Sequence, residues 1–115
     1  MNHAEAENML QRWAKESDRL HTLGRSLSKA AHESLSNSCL KIIHTFEAPI
    51  YLYIRVSILG FELIDHGNHS DDVVWRATTF AGAVELAAPK ISERLEAYAK
   101  RVAQLEAVLD AVRRV

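Results

Sequence analysis

The sequence predicts an all-α protein, a small bundle of long antiparallel helices. Two periodic patterns carry this expectation. Val74, Ala77, Ala81, Val84, Ala88, Ile91, Leu95, Tyr98, Val102, Leu105, Leu109 and Val112 follow one another in alternating steps of three and four. That spacing keeps one stripe of a helix turned toward a partner helix. Ala6, Leu10, Trp13, Ser17, Leu20, Gly24, Leu27 and Ala31 repeat the same rhythm near the N-terminus.

With 115 residues the chain has the length of a single helical domain, 1–115, able to bury a modest core without disulfides or metals. Its 14 basic and 15 acidic side chains leave a net charge of −1, which removes the positive surplus of a general nucleic-acid binder. Cys39 is the single cysteine and has no partner for an intramolecular disulfide. Glu5 and Glu7 stand where a signal peptide would have its apolar core, so no leader and a cytoplasmic location are expected. The apolar segment from Ile42 to Ile64 is interrupted by His44, Glu47, Pro49, Arg55 and Glu62. It is too polar for a bilayer span.

The first helix is expected from about Ala4 to Glu33. Trp13, Leu20 and Leu27 form a bulky column on it, and Ser17, Gly24 and Ala31 a small one that admits a close backbone. Ser34, Ser36, Asn37 and Ser38 then break the periodicity, because such side chains bond nearby backbone groups and favour turns and caps. A new helix is expected from near Ser36 or Ser38, with a kink or break at Glu47 to Pro49, since the residue before a proline avoids the helical region.

Ile50 to Ile58 reads both ways. Ile50, Leu52, Ile54, Val56 and Ile58 alternate as in a strand. Ile50, Tyr53, Ser57, Gly60 and Ile64 instead continue a helical seam from Ile43 and Phe46. A lone strand has no partner unless a second subunit supplies one, so the helix is the reading taken, enclosed by other helices or by a partner. Asp65 to Asp72 is the clearest loop, with Ser70 or Asp71 as an N-cap and the helix resuming at Val73. Pro89 implies either a kinked continuous helix or a corner. Unbroken, residues 74–112 would span about 58 Å, against about 35 Å for a compact domain of this size. The helix must therefore fold back or be covered by a second subunit. Trp13, Leu20, Leu27, Leu95, Val102, Leu105 and Leu109 are the expected core or dimer seam, and a helical homodimer is predicted. Ala99, Ala103, Ala107 and Ala111 form a second stripe, which favours a bundle over a two-stranded coil.

Chemistry-bearing clusters are few. His66 and His69, with Asp65, Asp71 and Asp72 beside them, have metal-ligand residue types, but two histidines on one loop supply only part of a shell. No metal, cofactor or enzymatic activity is expected, and metal binding by the His66/His69 loop stays an alternative. Pro89 to Glu96 is similar to the recognition-helix entry of LysR-type winged helix-turn-helix domains, yet the turn before it and a basic wing are missing. A small helical DNA-binding regulator is the other alternative. Tyr51, Tyr53, Ile54 and Phe61 combine aromatic anchors with more apolar face than a helix needs for its own core, and are the expected partner-binding surface.

In its length, and in the segments Met-Asn-His-Ala-Glu-Ala-Glu-Asn-Met-Leu and Ile-Leu-Gly-Phe-Glu-Leu-Ile-Asp, the chain resembles QslA-type quorum-sensing anti-activators over nearly its whole extent. The resemblance implies a helical homodimer that binds the ligand-binding domain of a LuxR-type receptor. Such binding blocks receptor dimerisation and releases the receptor from DNA. The family offers no diagnostic motif, so no functional residue is carried over by position.

Overall fold

The computed structural model describes residues 1–34, 48–66 and 72–113. Helix α1 (His3–Ser34) is followed by strands β1 (Leu52–Ser57), β2 (Gly60–Asp65) and β3 (Val73–Ala77), and then by helix α2 (Phe80–Arg113). The strands form an antiparallel sheet in the order β1-β2-β3. The protein is therefore mixed α and β, and the all-α expectation is wrong.

Both helices begin where local chemistry satisfies their first amide groups. Asn2 Oδ1 accepts the Glu5 N–H at 2.8 Å while Glu5 Oε1 accepts the Asn2 N–H at 3.2 Å, a reciprocal capping box. Thr79 caps α2 through its hydroxyl, which accepts the Gly82 N–H at 3.0 Å. The α2 seam thus starts at Phe80. Val74 and Ala77, which continue its phase in the sequence, lie on β3. Expected at Ala4 to Glu33, α1 ends within a residue of that reading.

The helices run parallel, not antiparallel. At one end the Met1 amino group pairs with Glu85 at 2.7 Å and the His3 ring lies 5.0 Å from that of Phe80. At the other, Ala31 shares a cluster with Leu105 and Leu109. Short connections make neighbouring helices antiparallel. Here the connection carries a three-stranded sheet, and α2 begins beside the start of α1.

This arrangement explains what covers the two seams. Trp13, Leu20, Leu95, Val102, Leu105 and Leu109 are buried, and Leu27 is partly buried against them, all within one chain. Ser17 and Gly24, from the small column, are buried as well. The periodicity therefore does not call for a second subunit. Ala103, Ala107 and Ala111 of the second stripe are exposed.

Pro89 neither breaks α2 nor folds it back: the helix runs from Phe80 to Arg113 with Pro89 on its exposed side. Pro49 lies in the non-helical approach to β1. The helix expected from Ser36 or Ser38, and Ser70 or Asp71 as a cap, fall outside the described residues. The molecule measures 58 × 26 × 17 Å with a radius of gyration of 17.2 Å, against about 13 Å for a compact chain of this length. It is a rod with a sheet at one end. No helix among the described residues is long and apolar enough to cross a membrane.

Candidate functional site

Ile50 to Ile64, read as a helix, is the hairpin β1–β2. The partner that a lone strand would lack sits in the same segment. Register runs from Leu52 opposite Asp65 to Ser57 opposite Gly60, leaving Ile58 and Leu59 as the turn. Gly60 takes a φ of +130°, a region that side-chain-bearing residues avoid. Ser57 fastens the turn: its Oγ accepts the Leu59 N–H at 3.2 Å and donates to the Gly60 carbonyl at 3.4 Å.

Pairing fixes which backbone groups of β1 are used. The His66 N–H donates to the Tyr51 carbonyl at 2.8 Å, and hydrogen-bonded positions of an antiparallel pair recur every second residue. Tyr53, Arg55 and Ser57 therefore bond to β2, while the N–H and C=O groups of Leu52, Ile54 and Val56 point to the other edge, which is open among the described residues. Side chains on that strand are also uncovered. Tyr51, Tyr53 and Ile54 are exposed, Val56 is 68% exposed and Ile58 fully so. A native edge strand is ordinarily short, charged or covered; this one has a single charged residue, Arg55.

Of the four expected contact residues, the structure brings Tyr51, Tyr53 and Ile54 together on the edge. Phe61 turns inward instead, 6.3 Å from Phe80 in an edge-to-face contact, and belongs to the core. The reading as a helix missed Val56, Ile58 and Leu59, which are more exposed than Tyr53 and Ile54. Ile58 and Leu59 were visible as an apolar pair between Ser57 and Gly60, at what is a hairpin tip, and Val56 as a member of the alternating strand pattern.

The two faces of the sheet differ. On the face toward the helices, Leu63 and Trp75 pack against the core, and a cleft of about 340 Å³ opens between β1 and α1, lined by Leu10, Ala14, Ser17, Ile50, Leu52 and Ile54 among others. On the other face, Arg76, Glu62 and Arg55 form one row across the three strands. Glu62 is buried between them, accepting from Arg55 at 3.2 and 3.4 Å and from Arg76 at 3.1 Å. The two guanidinium groups hold its carboxyl below the ordinary carboxylate range, and Glu62 in turn raises Arg55.

Below the edge, Asp65 is fully buried and pairs with Arg94 of α2 while accepting the Tyr51 N–H at 3.0 Å. Beside it, His66 Nδ1 lies 2.5 Å from Asp72 Oδ1, and the Tyr53 hydroxyl donates to Asp72 Oδ2 at 3.3 Å. Partial burial and that carboxylate push the Tyr53 phenol up from its ordinary value. Among the described residues no group of three His, Cys, Asp or Glu side chains can hold a metal ion; His69 lies outside them. Compared with known protein families, with curated proteins and with solved structures, the chain finds no match.

Proposed function

We propose that the protein is a binding regulator that sequesters a transcriptional activator by direct contact through the β1 edge. One observation carries this reading: β1 presents backbone groups that are unpaired among the described residues, and a run of exposed apolar side chains on the same edge. Such an edge is a template for another chain, and contiguous apolar patches mark interaction sites. The six exposed apolar and aromatic residues from Tyr51 to Leu59 offer an area of the order of the ~800 Å² that each partner of a standard interface contributes.

The resemblance to quorum-sensing anti-activators supplies the partner to test first, the ligand-binding domain of a LuxR-type receptor. Dimeric regulators read two half-sites at once, so a protein that blocks dimerisation also removes the receptor from its operator. The cytoplasm is where this activity would operate. DNA binding draws no support from the fold, because Pro89 to Glu96 lies inside an uninterrupted helix without a preceding turn.

A gel-shift titration at about 150 mM salt tests the proposal, since phosphate-driven binding is salt-sensitive. The protein alone should shift no operator DNA, yet should release bound receptor. The double variant Val56→Asp/Ile58→Asp should lose this effect with its circular dichroism unchanged. A receptor–operator complex that survives a large excess of protein contradicts the proposal.

A further inference from the structure

We propose that β1 takes as its partner an extended strand that carries an acidic residue opposite Arg55, adding a fourth strand to the sheet. The proposal rests on the reading of β1 as the binding edge, and it specifies the chemistry of what binds there.

Charge alternates across the outer face. Arg76 on β3, Glu62 on β2 and Arg55 on β1 are direct cross-strand neighbours, so the row reads plus, minus, plus and stops at the open edge. Glu62 is shared by both guanidinium groups, which leaves one positive charge in excess among the three. The residue that a fourth strand places beside Arg55 sits at a non-hydrogen-bonded position, where antiparallel side chains come closest. An opposite charge there stabilises the pair and a like charge opposes it.

The inner face specifies the alternate positions. Leu52 and Ile54 line the cleft along with Leu10 and Ala14 of α1, and Ser17 and Asp18 are its polar residues on that helix, so inward-facing residues of the added strand meet a mainly apolar floor. Outward residues flank Tyr53 and Arg55. The occupant is thus an alternating segment, apolar on one side and acidic on the other at the Arg55 position.

A second copy of β1 fits this description poorly. The strand Leu-Tyr-Ile-Arg-Val-Ser has no acidic residue, so self-pairing in any register within β1 adds no carboxylate to the one, Glu62, that Arg55 already shares with Arg76. An antiparallel pair centred on Ile54 would set Arg55 opposite the tyrosine at the Tyr53 position. The favoured partner is therefore a different protein segment.

Two capped synthetic peptides test this, Thr-Val-Thr-Val-Glu-Val-Thr-Val-Thr and the same sequence with Lys in place of Glu. Each is titrated into the full chain while backbone amide resonances and amide exchange are followed. The Glu peptide should perturb and protect the amides of Leu52, Ile54 and Val56, and bind roughly tenfold more tightly than the Lys peptide. Arg55→Gln, which removes the charge without adding a like one beside Glu62, should bring the two peptides level. Equal binding to the wild type, or unmoved β1 amides with either peptide at millimolar concentration, overturns the proposal. So does a dimer in the peptide-free protein that forms a disulfide through Ile54→Cys but not through Ile58→Cys in a Cys39→Ser background, since β1 is then occupied by its own copy. Peptide preference without receptor release supports the strand site and counts against the choice of receptor alone. Receptor release with inert peptides overturns the strand site and leaves the sequestering role standing.

Discussion

Arg94 of α2 is ion-paired with Asp65, the last residue of β2, whose carboxylate is fully buried and also receives the Tyr51 N–H. One carboxylate thereby ties the sheet to the helix and anchors the chain as it enters β1. Removing one partner of a buried pair leaves an uncompensated charge, at a cost of about 3–5 kcal/mol. Arg94→Met should destabilise the protein by that order in chemical denaturation. Restoring neutrality with Asp65→Asn in the same chain should recover part of the loss. A change below about 0.5 kcal/mol for Arg94→Met would mean that the pair contributes little.

Glu62 makes stability fall in acid. Arg55 and Arg76 hold its folded-state pKa below the ordinary carboxylate value, so the folded state binds its proton less readily than the unfolded state. Its stabilising contribution is complete above the unfolded pKa and is lost as pH falls through the lower, folded value. Denaturation midpoints should drop through that acidic window, and Glu62→Gln should flatten the Glu62 part of the decline. A carboxyl resonance of Glu62 titrating at or above the ordinary value would contradict this assignment.

Gly60 is required by geometry at the hairpin. Its φ is +130°, and a Cβ placed there would collide with the backbone carbonyl of Ala77 on β3. Gly60→Ala should cost at least about 2 kcal/mol through strain in that conformation. Thermal unfolding measures it. A fully stable alanine variant would show that the turn adopts another backbone path.

The helix pair should be sensitive along its buried line alone. Leu20 is 2% exposed between the helices whereas Leu86 is 56% exposed on α2. Leu20→Ala should cost about 2–5 kcal/mol, and Leu86→Ala less than about 0.5 kcal/mol. Comparable losses at the two positions would place α2 the other way round.

The helices were legible because long seams with caps leave few alternatives. Asn2 and Glu5 mark the start of α1, and Ser34 stands where its periodicity ends. The sheet was hidden for physical reasons. Its tight turn is built from Ile58 and Leu59 rather than from turn-forming residues, so β1 and β2 read as one apolar run. Val74 and Ala77 on β3 happen to fall in phase with the α2 seam, and only Thr79, as a cap, separates strand from helix. Missing the sheet also inverted the helices, because a short connection makes neighbouring helices antiparallel and one that carries three strands need not. The exposure of Tyr51, Tyr53 and Ile54 was legible because aromatic and apolar surplus is visible in composition. Phe61 was misplaced because face assignment depends on knowing the period.

Amide hydrogen exchange at Leu52, Ile54 and Val56, with and without the ligand-binding domain of a LuxR-type receptor, is the most direct measurement of the central claim. These groups face the open edge of β1 in the free protein. Receptor binding should slow their exchange by at least about tenfold, because a hydrogen-bonded amide exchanges only through an opening step. A receptor complex in which all three amides exchange as fast as in the free protein would contradict it.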